Sequence, residues 1–227
     1  MDEIREVADQ TAQPPVRGFI HLPAQPNGAG IVLTHGAGGN CQSKLLQSLA
    51  HAFSEAGYTA LRCNLPFRQQ RAFGPPSPAN AERDREGLRR AVQLMREQIS
   101  GPLYLGGQSY GGRQASMLVA DEPALVSGLL LLSYPLHPPG RPAQLRTAHW
   151  PKLKTPMLFV HGARDPFGSL DEFQSAMALL QGPHNILDIE GAGHDLLGKK
   201  AKAAEQFGTE IVSAFQHFFG SSKSATS

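Results

Sequence analysis

Apolar residues in this chain fall into short continuous runs that alternate with longer stretches where they recur every three or four positions. Runs at 16–21, 30–34 and 59–63 predict buried strands. Between the second and third, residues 43–56 predict a helix with Leu45, Leu46, Leu49 and Phe53 on one face and Gly57 as its stop. Residues 79–99 predict a long helix striped by Leu88, Ala91, Val92, Met95 and Ile99. Its other face, with Glu82, Arg83, Asp84, Arg85, Arg89 and Arg90, reads as solvated. Strands follow at 103–105, 129–132, 157–160 and 185–189, and helices at 114–120, near 171–180 and at 201–219. The last helix carries Phe207, Ile211, Phe215 and Phe218 as a stripe suited to core packing. Such alternation predicts a mostly parallel, doubly wound sheet with helices on both faces. Residues 1–219 read as one domain, and the Ser-rich 220–227 as a flexible tail.

One motif in this framework carries chemistry. Gly107-Gln108-Ser109-Tyr110-Gly111 lies between a strand and a helix, the G-x-S-x-G spacing of a sharp turn that pushes a serine hydroxyl out of the fold. Glycines beside the serine avoid Cβ clashes and tolerate unusual backbone angles. The helix that follows aims its free N–H groups and positive dipole end at the place where an oxyanion would form. A serine hydroxyl attacks well only when a base removes its proton. His194, in the Gly-Ala-Gly-His loop after strand 185–189, is the candidate base, and Asp165, after strand 157–160, is the acid that would orient its ring. Asp195 and Asp171 are the competing acids nearby. The order serine, acid, histidine is that of α/β-hydrolases.

The oxyanion needs two donors: the backbone N–H of Tyr110, and one from the small-residue loop after Thr34, with Ala37 first and Gly38 next. His35 and His161 each precede a glycine at a strand end and read as rings bonded to nearby backbone. No HExxH or CxxC spacing occurs, so neither a metal nor another cofactor is expected. Charge changes the picture in two loops. Residues 64–80 and 134–155 hold six basic residues and no acid, whereas the whole chain has a net charge of only +2. With Arg68, Arg71, His137 and Arg141 as candidate contacts, this positive rim predicts a small acyl substrate that is anionic. Both loops are rich in proline and too short for a helical cap, which predicts an open site.

Composition adds boundaries. A chain of 227 residues with 41% hydrophobic content can bury one sizeable core. Its weak net charge argues against nucleic acid or a membrane surface as partner, and oligomeric state is left open. The start, Met1-Asp2-Glu3-Ile4-Arg5-Glu6, shows neither a basic region nor an apolar one. Two cysteines, Cys41 and Cys63, read as reduced thiols, and together these features predict a cytoplasmic protein.

The segments THGAGG at 34–39, RCNLPFR at 62–68, GGQSYGGR at 106–113, SYPLHPPGRP at 133–142 and HGARDPFG at 161–168 resemble one family of small α/β-hydrolases. It is the dienelactone-hydrolase-like group that includes a testis-expressed mammalian protein and a regulatory subunit of a histone-acetyltransferase complex. The resemblance spans residues 16–218 and implies an α/β-hydrolase fold without a cap, with Ser109, Asp165 and His194 as the triad. The expected activity is hydrolysis of a small ester or thioester through an acyl-enzyme on Ser109. The alternatives are a non-catalytic, hydrolase-like interaction protein, or an acyltransferase on the same three residues.

Overall fold

The computed structural model describes residues 3–197 and 204–221. Eight strands form one sheet: β1 (Glu3–Asp9), β2 (Val16–Leu22), β3 (Gly30–Thr34), β4 (Thr59–Cys63), β5 (Leu103–Gln108), β6 (Gly128–Leu132), β7 (Met157–Gly162) and β8 (His184–Ile189). Their order across the sheet is β1-β2-β4-β3-β5-β6-β7-β8. The pairings of β1 with β2 and of β2 with β4 are antiparallel, and every other pairing is parallel. Six helices cover the two faces: α1 (Lys44–Glu55), α2 (Pro66–Gln70), α3 (Ala81–Arg96), α4 (Tyr110–Asp121), α5 (Leu170–Met177) and α6 (Ala204–Ser221).

The buried strands read as continuous apolar runs because both of their faces are covered. Alternate side chains then enter different cores. In β6, Leu129 and Leu131 pack with Val92, Met95 and Leu118 from α3 and α4, while Leu130 and Leu132 pack with Leu46, Phe53 and Phe215 from α1 and α6. Val32 in β3 and Phe159 in β7 join the first core, and their neighbours Leu33 and Val160 join the second. Tyr58, Tyr104, Phe53, Phe215 and Phe219 meet edge-on or tilted, with centroids 4.5–6.5 Å apart.

Several expectations need correction. The edge strand β1 was not foreseen, because all its residues are exposed or half-buried and Glu-Ile-Arg-Glu-Val-Ala-Asp has no one-sided apolar pattern. The charged segment 64–80 contains the short helix α2, with Pro66 at its first position, and a 3₁₀ turn at Pro78–Asn80 that leads into α3. In α6, Phe219 is buried together with Phe207 and Phe215, whereas Phe218 is half-buried against the same core. Gly128 makes room for Phe219, since a Cβ there would lie 2.2 Å from the Phe219 ring. The expected start of this helix at 201–203 lies outside the described residues. So do 222–227 of the expected tail, while Gly220 and Ser221 are helical. Asp84, expected on the solvated face of α3, is fully buried. Both cysteines are free and buried. Among the described residues no helix is long and apolar enough to cross a membrane.

Phe215 is fully buried and touches four aromatic rings, so Phe215→Ala removes a large side chain from a site with little room to collapse. The expected loss is about 3–5 kcal/mol of unfolding free energy, read from the urea midpoint.

Candidate active site

Strand order places the site. From β3 the chain crosses to β4 on one side, and it returns to β5 on the other. Strand order therefore reverses at β3/β5, where open parallel sheets form a crevice beyond the carboxyl ends of their strands. Register pairs Thr34 with Gly107, so the loop starting at His35 and the turn at Ser109 emerge at one level.

Ser109 links β5 to α4 with φ 50° and ψ −115°, a conformation that costs a non-glycine residue about 1–3 kcal/mol. The adjacent glycines do not share this angle; their role is steric. A Cβ at Gly107 would lie 2.5 Å from the Gly112 nitrogen, and one at Gly111 would lie 2.5 Å from the His35 carbonyl oxygen. The strained turn is held by Ser109 N–H donating to Leu132 O (2.8 Å) and Arg113 N–H donating to Ser109 O (2.9 Å).

Beyond β7 and β8, the structure brings Asp165 and His194 to this serine. His194 Nε2 lies 2.8 Å from Ser109 Oγ, and His194 Nδ1 lies 2.7 Å from Asp165 Oδ2. Phe167 N–H donates to the other carboxylate oxygen at 2.9 Å, and the Asp165 side chain is fully buried. The competing acids take no part in this chain: Asp171 lies in the first turn of α5, and neither it nor Asp195 forms the ring contact made by Asp165. Two features hold the histidine loop. Arg164 N–H donates to Ala192 O, and Gly162 lets the loop close on β7, since a Cβ there would lie 2.5 Å from Gly193 O. The Phe167 ring stacks on His194 at 4.1 Å. Sequence reasoning passed over Phe167, although it lies in the HGARDPFG segment.

His35 and His161 are structural. His35 Nδ1 donates to Gly36 O (2.8 Å) and its Nε2 accepts from Leu65 N–H (3.1 Å), a neutral tautomer, and burial pushes its pKa down to about 4. His161 Nε2 donates to Gly168 O at 2.7 Å, and burial lowers its pKa as well. Asp84 was also missed. Its carboxylate accepts Phe67 N–H (2.9 Å) and the Tyr110 hydroxyl (2.8 Å), which pins the first residue of α4 to α3 and α2. Burial raises the pKa of both partners.

A cleft of about 560 Å³ opens over Ser109. Ala37 and Tyr110 share its lining with the serine, whereas Gly38 does not. Pro75, Pro76, Pro78 and Pro135 make apolar walls, and Arg113 and Arg146 supply charge. The four expected substrate contacts do not line it. Arg68 is buried, and its guanidinium donates to the carbonyls of Ala37, Gly39, Arg71, Ala72 and Gly74. Arg71 donates to Pro75 O. His137 is buried between Pro138 O and the Glu172 carboxylate, and Arg141 lies exposed on a turn. Runs of basic residues in sequence do not tell which side chains turn back onto their own loop. Among the described residues no three His, Cys, Asp or Glu side chains gather as a metal ion would require.

Comparison with known proteins agrees with this architecture. A family described as alpha/beta hydrolase domain matches residues 27–219. A protein of Rattus norvegicus named "Putative protein-lysine deacylase ABHD14B" is 29% identical over 198 residues, covering 83% of this chain and 88% of its own. Dienelactone hydrolase from Anabaena variabilis superimposes with a TM-score of 0.72 at 19% identity, covering 96% of this chain and 98% of its own. An alpha-beta serine hydrolase homologue from Coxiella burnetii gives a TM-score of 0.70 at 18% identity, covering 92% and 96%. These two likenesses show the fold.

Two outcomes are expected. The His35 pKa is about 4 in the folded protein against 6.5 for the free ring, so between these values the unfolded chain takes up a proton that the folded one refuses. Stability from this group is complete above pH 6.5 and is lost as pH falls toward 4, by about 2 kcal/mol at pH 5. Urea midpoints at pH 7 and 5 should fall less steeply in His35→Asn, which lacks the titrating ring. Gly162→Ala should displace the His194 loop and slow the reaction of Ser109 with a fluorophosphonate by about tenfold to a hundredfold, with the fold retained by circular dichroism.

Proposed function

We propose that this chain, which belongs to the alpha/beta hydrolase family, is a serine hydrolase that cleaves a small ester or thioester through an acyl-enzyme on Ser109. The observation that carries this reading is the continuous hydrogen-bonded chain from Ser109 Oγ through His194 to the buried Asp165 carboxylate, at the floor of an open cleft. The segment-level resemblance to the small dienelactone-hydrolase-like group supports the same assignment.

The chemistry follows from the geometry. His194 Nε2 takes the Ser109 proton as Oγ bonds to the acyl carbon, and the carbonyl electrons move onto oxygen. The backbone N–H groups of Tyr110 and Ala37, beside the serine in the cleft, receive that oxyanion. Asp165 accepts the far N–H of the ring, holds its tautomer and stabilises the imidazolium. The intermediate collapses by breaking the bond to the leaving oxygen or sulfur, which takes the proton from His194. Water then repeats the attack on the acyl-enzyme with His194 as base, releasing the acid and restoring Ser109. The relative named as a lysine deacylase makes acyl-lysine peptides a sensible addition to an ester and thioester panel, since an amine can leave by the same steps. An acyltransferase would differ only in the acceptor used at the second stage.

The expected result is fluorophosphonate labelling of the wild type that disappears in Ser109→Ala. Asp165→Asn should lower kcat/KM on p-nitrophenyl esters at least about a thousandfold. A folded wild type that neither labels nor turns over any ester, thioester or acyl-lysine would transfer the chain to the alternative of a non-catalytic interaction protein.

A further inference from the structure

The cleft has one polar feature that the acyl-transfer steps leave unused. Arg113 lies one turn along α4 from Ser109, its N–H bonded to Ser109 O, and it lines the same cleft as Arg146. Neither arginine has a carboxylate partner among the described residues, whereas Arg89 and Arg90 on α3 are both paired with acids. Arg113 Nε and Gln114 Nε2 are both buried donors with no acceptor, and both residues line the cleft. A buried donor left without an acceptor costs about 1–3 kcal/mol, and here two such donors belong to residues on the wall of one cavity.

The backbones that carry these two arginines are held in place. Arg146 is held at its backbone, where its N–H donates to Leu136 O (2.8 Å) and its carbonyl accepts the buried Tyr134 hydroxyl (2.7 Å). Burial lowers the pKa of Arg146 and the charge of Arg113 adds to that effect; the same two causes bring His149 down to about 4. Around this charge the walls are apolar, formed by Pro75, Pro76, Pro78, Pro135 and Met117. Two cationic residues in a cleft with largely apolar walls favour a ligand with a short hydrocarbon segment and a terminal anion.

We propose that Ser109 takes acyl groups whose far end carries a carboxylate, such as the half-esters or half-thioesters of short dicarboxylic acids, and that Arg113 and Arg146 bind that carboxylate. This rests on the serine-hydrolase reading and names its substrate class. The charge is assigned to the acyl part because that group stays bonded to Ser109, one helical turn from Arg113. Arg68, Arg71, His137 and Arg141 do not contribute, being turned away or bonded elsewhere.

The test compares kcat/KM for the p-nitrophenyl half-esters of succinate and glutarate with the uncharged butyrate and valerate esters, and with the butyrate ester of 4-hydroxybenzoate, whose anion lies on the leaving group. The wild type should prefer a half-ester over its uncharged counterpart by at least about tenfold. That ratio should collapse toward unity in both Arg146→Gln and Arg113→Gln. Arg146 is half-buried in a loop, so its variant keeps the test open if the Arg113 variant fails to fold. A ratio of one or less in the wild type, a ratio unchanged in the folded Arg146 variant, or a preference for the anionic leaving group would each overturn the assignment. Binding of monomethyl glutarate to Ser109→Ala, read by calorimetry against methyl valerate, separates the two proposals. Selective binding that Arg146→Gln abolishes upholds the anion site even if the wild type fails to label. Labelling without such selectivity upholds the hydrolase and sinks the anion site.

Discussion

Everything at this site depends on a single backbone position being held where it would not rest alone. Ser109 has a positive φ and a side chain, a combination that local sterics oppose. It is stabilised from outside: β5 is hydrogen-bonded to β3 and β6, Ser109 N–H is anchored on Leu132 O, and α4 starts at once. The close approaches this demands are feasible only because Gly107, Gly111 and Gly112 present no Cβ. The hydroxyl therefore stands clear of the fold, at the level where the His35 loop and the two later loops arrive.

The other groups reach the serine through different devices. Asp165 and His194 lie in the loops that follow two neighbouring parallel strands, so the pairing of β7 with β8 brings acid and base into contact. Gly162 and Phe167 then set how far the histidine loop descends and how its ring lies. On the opposite flank, Asp84 ties Tyr110 to α3, and His35 ties its own loop to Leu65. Asp84 and His35 are thus buried polar residues whose hydrogen bonds tie the neighbouring segments together, the arrangement that stiffens a site in a low dielectric.

Much of this was legible in the chain. The central strands have apolar runs, and G-x-S-x-G, Asp165 and His194 each follow one of them, so the fold class, the order of the central elements and these three candidates could be read from the sequence. Three kinds of feature were not legible. Strand β1 owes its structure to pairing with β2 and has no apolar face to announce it. Asp84 sits among six other charged residues between 82 and 90, and only the arrival of two donors from α2 and α4 distinguishes it. The fate of the arginines was the hardest to foresee: Arg68 and Arg146 are in similar basic, proline-rich loops, yet one folds back onto carbonyls and the other faces the cleft. Composition records a charge without recording its direction.

Arg68 has a consequence of its own. By joining Ala37 and Gly39 to Arg71, Ala72 and Gly74, it makes one rigid body of the loop beside the serine and the segment leading to Pro75 and Pro76. The Pro75–Pro76 wall of the cleft and the Ala37 backbone are thereby tied to one another. A change at the exposed rim of this cleft would therefore be transmitted through one buried guanidinium to the loop beside Ser109.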